Sequence, residues 1–298
     1  MTTRPPTERT TARQPKTVVI SGGTDGMGRA TALDRLRRGD TVVALGSNEV
    51  KGRALVEDAD RLAAAGRLRF LQADLSSMAE VERVVADIAH RHKVVDALVL
   101  CANRPSPRRR ETVDGLEYTF ALYYLSRYLL GDRLRPLLNA SAAPVIINVA
   151  GVGNTAGEIR WDDLQLRRRY SMVRAQLQAG RANDLLGVAF AERAAGNVSY
   201  VMYHPGFTRS GDVSHLNPAL RTTIRLLARV AARPVETSIR PIVELIDSPP
   251  RAALTAIDRG RPVHPSLKTL DAGDASRLAR LTEELIARHA PETPPHGQ

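Results

Sequence analysis

Between Val18 and Met202, short apolar runs alternate with helical stretches, and that rhythm leaves few folds open. Val18-Val19-Ile20, Thr41 to Leu45, Leu68 to Gln72, Ala97 to Leu100, Val145 to Val149 and Val198 to Met202 read as strands. Runs this short and this apolar are buried on both faces, as in a parallel sheet covered by helices above and below. Gly26 to Arg38, Gly52 to Ala65, Met78 to Ala89, Leu116 to Leu138 and Arg174 to Ala194 carry helical periodicity. The expectation is a three-layer αβα sandwich around a mostly parallel, doubly wound sheet. One domain spans 16–290, flanked by flexible tails at 1–15 and 291–298. Val198 to Met202 completes the readable sheet. From Phe207 to Pro265, mixed helical signals and Pro218, Pro234, Pro241, Pro249 and Pro250 break the rhythm. That segment is expected to cover the carboxyl ends of the later strands, where open α/β sheets place their ligands. Residues 272–290 read as a terminal helix.

Bulk properties exclude several classes. The 298 residues carry 43 basic against 32 acidic side chains, for a net charge of +11. Only Lys16, Lys51, Lys93 and Lys268 are lysines, and the arginines are spread along the chain. No nucleic-acid motif surrounds Arg108-Arg109-Arg110 or Arg167-Arg168-Arg169, so nucleic acid is not an expected partner. The single cysteine, Cys101, rules out an internal disulfide and suits a reducing, cytoplasmic setting. Residues 1–15 lack the apolar core of a signal peptide, and no stretch has the length and apolarity of a membrane span. His90 and His92 have no acidic or cysteine neighbour at ligand spacing, which favours a solvated helix end over a metal site.

The chemistry begins at Ser21-Gly22-Gly23-Thr24-Asp25-Gly26-Met27-Gly28, directly after the first strand. Glycines spaced GxxxGxG between a strand and a helix let the backbone approach a pyrophosphate. The helix N-terminus supplies unpaired N–H groups and a favourable field. In this context the turn points to a Rossmann-type nucleotide site, with Gly22, Thr24, Asp25, Gly26, Met27 and Gly28 against the cofactor. The second strand ends Gly46-Ser47-Asn48 without the acid that would bind an unphosphorylated adenine ribose. Ser47 and Asn48 can hydrogen-bond there, and Arg29 either meets a phosphate or faces solvent. The missing acid favours NADPH, with NADH as the alternative.

At these positions the chain resembles the short-chain dehydrogenase/reductase family, particularly its retinol-dehydrogenase-like branch. Asp74-Leu75 resembles the pair that helps hold the adenine side. Thr112-Val113-Asp114-Gly115-Leu116-Glu117 resembles T-x-D-G-x-E, and Trp161-Asp162-Asp163-Leu164 resembles W-x-D-L. Ala182-Asn183 matches the A-N pair and Pro205-Gly206 the cofactor-contacting P-G, so the likeness covers roughly 16–210. It also implies that Ala102, Asn103 and Val149 meet the cofactor.

The resemblance then exposes a loss. The family uses a serine, a tyrosine four residues before a lysine, and a relay asparagine. Ile146-Ile147-Asn148-Val149-Ala150-Gly151 places Gly151 at the serine, while Ala182-Asn183 sets Gln176 at the tyrosine and Gly180 at the lysine. Phe120-Ala121-Leu122-Tyr123 puts Tyr123 at the asparagine, and Leu100-Cys101-Ala102-Asn103 stands for N-N-A-G. The nearest substitute pair, Tyr170-x3-Arg174, lies out of register, and arginine does not exchange protons readily. General acid–base assistance contributes roughly 10²–10⁴-fold. A substrate with a phenolic hydroxyl beside its ketone can supply part of this by polarising its own carbonyl.

The expected function is therefore an atypical NAD(P)H-dependent ketoreductase acting on a small hydrophobic aromatic ketone. The pattern is similar to ketoreductases that tailor aromatic polyketides, with an angucyclinone as one candidate. Gly151, Gln176 and Phe207 are expected around the substrate, and Tyr123 is the candidate substrate contact or proton relay, against simple packing on a helix. His204 is read as structural support and Cys101 as packing. The alternative is a noncatalytic dinucleotide sensor or partner subunit. Family members assemble through the helix at Leu116–Leu138, whereas surface arginines here oppose that contact, so homo-oligomer formation stays open.

Overall fold

A computed structural model describes residues 13–193, 196–206 and 234–289. Seven parallel strands and one short antiparallel strand form a single sheet in the order β3-β2-β1-β4-β5-β6-β7-β8. These are β1 Thr17–Ser21, β2 Thr41–Gly46, β3 Leu68–Gln72, β4 Ala97–Leu100, β5 Val145–Val149, β6 Ser199–His204, β7 Leu254–Asp258 and β8 Arg261–Pro262. The chain leaves β1 toward β2 on one side and returns through β4 on the other, with Val18 paired to both Val42 and Ala97. This reversal opens a crevice at the carboxyl ends of the strands.

Alternate residues of each strand feed opposite layers, as the pleat requires. Val18, Ile20, Val42 and Ala44 pack with α1 Gly26–Arg37, α2 Glu49–Arg61 and α8 Val235–Asp247. Val19, Val43, Leu45 and Leu98 face α3 Met78–Arg91, α5 Ser126–Arg133, α7 Met172–Glu192 and α9 Ala272–His289. Polar side chains start the helices: Asp25 accepts from Gly26, Asn48 from Lys51, and Ser171 from Arg174. Within T-x-D-G-x-E, Asp114 accepts from the Met78 amide at 2.9 Å, and Glu117 caps α4 Tyr118–Phe120 through the Thr119 and Phe120 amides.

Three expectations change. Val198 to Met202 does not complete the sheet, because Leu254–Asp258 adds a seventh parallel strand and β8 follows as an antiparallel turn-back. The supposed cover at 207–265 includes residues outside the described ones up to 233. Its described remainder builds α8, β7 and β8 instead. The α8 helix is seated on α1 by Ile242 and Ile246 and by the Arg35–Asp247 ion pair at 2.7 Å. Third, Leu116 to Leu138 is not one regular helix. A π-helical turn, Ala121–Leu125, separates α4 from α5, and α6 Arg135–Asn139 follows a break at Leu134.

Among the described residues no helix is long and apolar enough to cross a membrane, and no group of three His, Cys, Asp or Glu can hold a metal ion.

One buried acid makes stability depend on pH. Asp184 on α7 is 2% exposed, and burial pushes its carboxyl up to about 7, with Thr269 and Arg181 offsetting only part. The folded chain therefore holds this proton more tightly than the unfolded chain, whose Asp titrates at about 3.9. Its contribution is fully present below about pH 4 and is lost as pH rises through about 7, by at most about 4 kcal/mol. Asp184→Asn should raise Tm above wild type by several degrees at pH 8, with the gap closing at pH 5. Equal melting curves for the two proteins at both pH values would refute this origin.

Candidate active site

The carboxyl ends of the strands open into a cleft of about 680 Å³. Ligand sites commonly occupy roughly 300–1,000 Å³. The cleft runs from Gly46, Ser47 and Asn48 after β2, over the glycine turn, to Gly151 and Pro205-Gly206 beyond β5 and β6. Gly22, Thr24, Asp25, Gly26, Met27 and Gly28 line its centre, Asp74 and Leu75 one wall, and Ala102, Asn103 and Val149 the floor toward β4 and β5. A Cβ on Gly22 would sit 2.8 Å from the Ala102 amide nitrogen, and one on Gly28 would press into the Gly22 carbonyl oxygen. Bare backbone and the start of α1 therefore face the cleft, an arrangement suited to a pyrophosphate.

At the adenine end, the Asn48 side-chain oxygen is already engaged as the α2 cap, accepting from the Lys51 amide at 2.9 Å. Arg29 is likewise engaged, paired with Asp58 on α2. Lys51, which the sequence reading passed over, lines the cleft and pairs with Asp25. Its signal was modest: it is one of four lysines and lies in the first turn after β2.

The other end holds the substituted positions. Gln176 and Gly180 stand one turn apart on α7, and Cβ atoms added at Gly151 or Gly180 would meet nothing within 4 Å. Gln176 is not part of the cleft lining itself. It exchanges two amide hydrogen bonds with Asn103, at 3.1 and 3.2 Å, and Asn103 does line the cleft. Phe207 lies outside the described residues. The substitute pair at Tyr170 and Arg174 is committed elsewhere: Tyr170 donates to the Ser106 carbonyl at 2.7 Å and Arg174 to the Arg169 carbonyl.

Tyr123 occupies the π turn, lines the cleft and packs with Ala150 and Ala179. Burial raises its phenol pKa, and the guanidinium of Arg127, 4.6 Å from the ring centroid, works in the opposite direction. Arg127 is 1% exposed and donates to Asn148 Oδ1, to the Val149 carbonyl at 2.9 Å and to the Ala102 carbonyl at 2.9 Å. Asn148 in turn donates to Asn183 Oδ1 at 2.9 Å, and Asn183 donates to the Tyr123 carbonyl at 2.7 Å. The family-like Asn148 and Asn183 thus serve a buried network that fixes the π turn. Cys101 also lines the cleft, but burial pushes its thiol up to about 12, which leaves it unsuited to attack as a thiolate.

His204 at the end of β6 lines the cleft and holds Asp258 of β7, Nδ1 to Oδ1 at 2.8 Å. Sequence reading gave no means of finding Asp258, which is 54 residues away and brought in by the unexpected strand β7.

A sequence model of the short chain dehydrogenase family matches residues 16–162. DnrU of Streptomyces sp. (strain C5), named as a candidate daunorubicin C-13 ketoreductase, is 31% identical over 74% of this chain and 79% of its own length. The chain belongs to the short-chain dehydrogenase/reductase superfamily. Oxidoreductase AN1596 of Emericella nidulans is 30% identical over 68% of this chain, and human retinol dehydrogenase 13 is 30% identical over 65%. The chain spans about three fifths of the length of these two relatives. A solved structure of an uncharacterized protein from Mycobacterium paratuberculosis superposes with a TM-score of 0.67 at 25% identity, covering 91% of this chain and 93% of that one. A short-chain dehydrogenase from Shigella flexneri 2a gives 0.63 at 16% identity, over 85% of this chain and all of that one. The superfamily's NAD(P)H-dependent oxidoreductase chemistry is consistent with this cleft.

The glycine turn gives a direct test. Gly28→Ala should weaken NADPH binding at least about 10-fold in a fluorescence titration while the far-ultraviolet spectrum is retained, because the added methyl displaces the Gly22 carbonyl. Unchanged affinity would disconnect the turn from the dinucleotide.

Proposed function

We propose that this protein is an NAD(P)H-dependent ketoreductase that reduces a hydroxylated polycyclic aromatic ketone whose own hydroxyl polarises the carbonyl. The observation that carries the reading is the pairing of a glycine-lined dinucleotide cradle with open space at Gly151 on the cleft wall, Gly180 on α7 being likewise unfilled but outside the lining. A substrate bringing its own hydrogen bond needs less from those positions, and a flat ring system gains the room they vacate. The name of DnrU, a ketoreductase acting at C-13 of daunorubicin, supports ketone reduction as the activity.

When bound, NAD(P)H supplies the two electrons and the hydrogen that reduce the carbonyl carbon. Gly22, Gly26, Gly28 and the start of α1 hold the pyrophosphate, Asp74 and Leu75 the adenine side, and Pro205-Gly206 the nicotinamide side. Ser47 and Lys51 favour NADPH, since no acid at the end of β2 opposes a 2′-phosphate and Lys51 brings a cation to that corner. Tyr123 presents its hydroxyl to the substrate oxygen or to a proton relay. The buried positive charge of Arg127 beneath it favours negative charge developing on that oxygen. The Asn103–Gln176 amide pair bounds the substrate end and orients groups there, though neither amide delivers a proton.

The second reading, a noncatalytic dinucleotide sensor or partner subunit, draws on the same loss of serine, tyrosine and lysine. Turnover separates the two. With NADPH, a tetralone carrying a peri hydroxyl should be reduced to the alcohol about 10²-fold faster than the same tetralone without it. Tight NADPH binding with neither ketone reduced would favour the sensor. Restoring the family set in a Gly151→Ser, Gln176→Tyr, Gly180→Lys variant should raise the rate on the plain tetralone on the order of 10²-fold and narrow the gap between substrates. No gain would indicate that the cleft holds its ketone elsewhere.

Cofactor choice is tested separately. Lys51→Ala should weaken NADPH about 10-fold and leave NADH unchanged in direct titration. Equal losses for both would remove Lys51 from phosphate recognition.

A further inference from the structure

We propose that His204, held by Asp258, is the proton donor to the substrate oxygen, in place of the missing tyrosine. The proposal rests on the ketoreductase reading and deepens it. Three observations carry it. First, the β5–β6 register pairs Val149 with Tyr203, and Ala150 continues the ladder by donating to the Tyr203 carbonyl at 3.1 Å. Neighbours in register on parallel strands project to the same face. His204 therefore shares its face with Ala150, which packs against Tyr123 and Ala179 of α7, the face where the family's proton chemistry would stand.

Second, the two ring nitrogens are placed differently among the described residues. Nδ1 meets Asp258 Oδ1 at 2.8 Å, and Nε2 has no partner among the described residues although the ring lines the cleft. A carboxylate on Nδ1 fixes the tautomer and steadies the imidazolium, leaving Nε2 as the working nitrogen. Burial raises the Asp258 pKa, but hydrogen bonds from Arg259 and His204 outweigh it and hold the carboxyl below the usual range. The ring is thus faced by a carboxylate.

Third, the loop after β5 is shaped around this pair. Gly153, at φ +88°, lies so close to Asp258 that a Cβ would stand 3.0 Å from the aspartate Cβ. That brings Asp258 to within two residues of Gly151, where the family has its serine. Asp258 is the last residue of β7, and the turn behind it is fastened to β6 by the Arg259 amide donating to the His204 carbonyl at 2.8 Å.

The step draws on the hydride that bound NAD(P)H would supply for the new C–H bond and on one proton taken up from solvent. As the carbonyl carbon is reduced, the C–O π pair moves to oxygen. The Nε2–H bond of the imidazolium breaks and an O–H bond forms, yielding the alcohol. Water then returns a proton to Nε2, so the ring is regenerated. Among the described residues, the charged and titratable groups beside His204 are Asp258 and Arg259 at the end of β7. Across β5 lie Tyr123 and, beneath it, Arg127.

The test uses the full chain with NADPH and the peri-hydroxylated tetralone. His204→Gln, whose amide can still reach Asp258, should lose about 10²-fold in kcat with KM and NADPH affinity unchanged. It should also lose the decline in rate at high pH that a proton donor imposes. Asp258→Asn should fall about 10-fold. Independently of turnover, binding of the product alcohol should shift the Nε2 resonance of His204 in ¹⁵N spectra and leave Nδ1 nearly unmoved. A His204→Gln enzyme with wild-type kcat and pH profile overturns the proposal while the ketoreductase reading stands. If the wild type reduces no ketone, that reading fails, and an unmoved Nε2 resonance then removes the contact as well.

Discussion

A single buried guanidinium holds the site end of the sheet together. Arg127 reaches the carbonyls of Ala102 after β4 and Val149 at the end of β5, together with the Asn148 side chain. Fully buried charge is costly unless its donors are met; here NH1 and NH2 meet three neutral oxygens while Nε is left without a partner. Among the described residues no carboxylate pairs with it, so its field persists at the floor of the cleft. The same contacts fix the spacing between β4 and β5, on which the shape of that floor depends. Tyr123 lies over the cation, and Asn183 secures the carbonyl of the π turn that presents it. Removing this one side chain would strand three acceptors and unseat the turn together.

The substitutions around that centre change what kind of help the site can give. A serine and a tyrosine would offer hydroxyls, and a lysine would hold the tyrosine's acidity. Gly151 offers volume at the cleft wall, Gly180 has no side chain to offer, and Gln176 spends both ends of its amide on Asn103. The cofactor end keeps its close-packed glycines, where a single methyl is too large. Constraint and freedom are thus divided along one cleft: close-packed glycines at one end and an unfilled position at Gly151 at the other.

The parallel core was legible because burial on both faces writes itself as unbroken apolar runs. Strands β1 to β5 and the helices between them follow those runs, with shifts of a few residues set by caps such as Asn48 and Ser171. β7 was not legible because its burial is partial: only Ala256 of its five residues is fully enclosed, and Leu254-Thr255-Ala256-Ile257-Asp258 lacks a continuous apolar signature. The π turn hides for another reason, since one extra residue per turn leaves an apolar stretch looking like ordinary helix. On the site, the cofactor-side positions fall along the cleft because local turns place them. Gln176 was read by register, but its pairing with Asn103 is a contact across 73 residues that no spacing announces. Arg127 did leave a trace, a cation amid Leu125, Leu129 and Leu130, which is a pattern an exposed helix face does not require.

The unexpected strand also explains how a site could lose its family groups and keep a polar working end. β7 extends the sheet beside β6, so each residue at its carboxyl end falls level with the rim of the cleft. Asp258 pairs in register with His204, and strand geometry alone brings the carboxylate to the ring. Because that pairing is set by backbone register, it is independent of α7, which carries the vacated tyrosine and lysine positions. Changes on α7 can therefore enlarge the substrate end without disturbing the histidine and its partner. Tyr123 on the π turn and His204 on the sheet are two separately supported polar elements of the cleft, and neither is carried by α7.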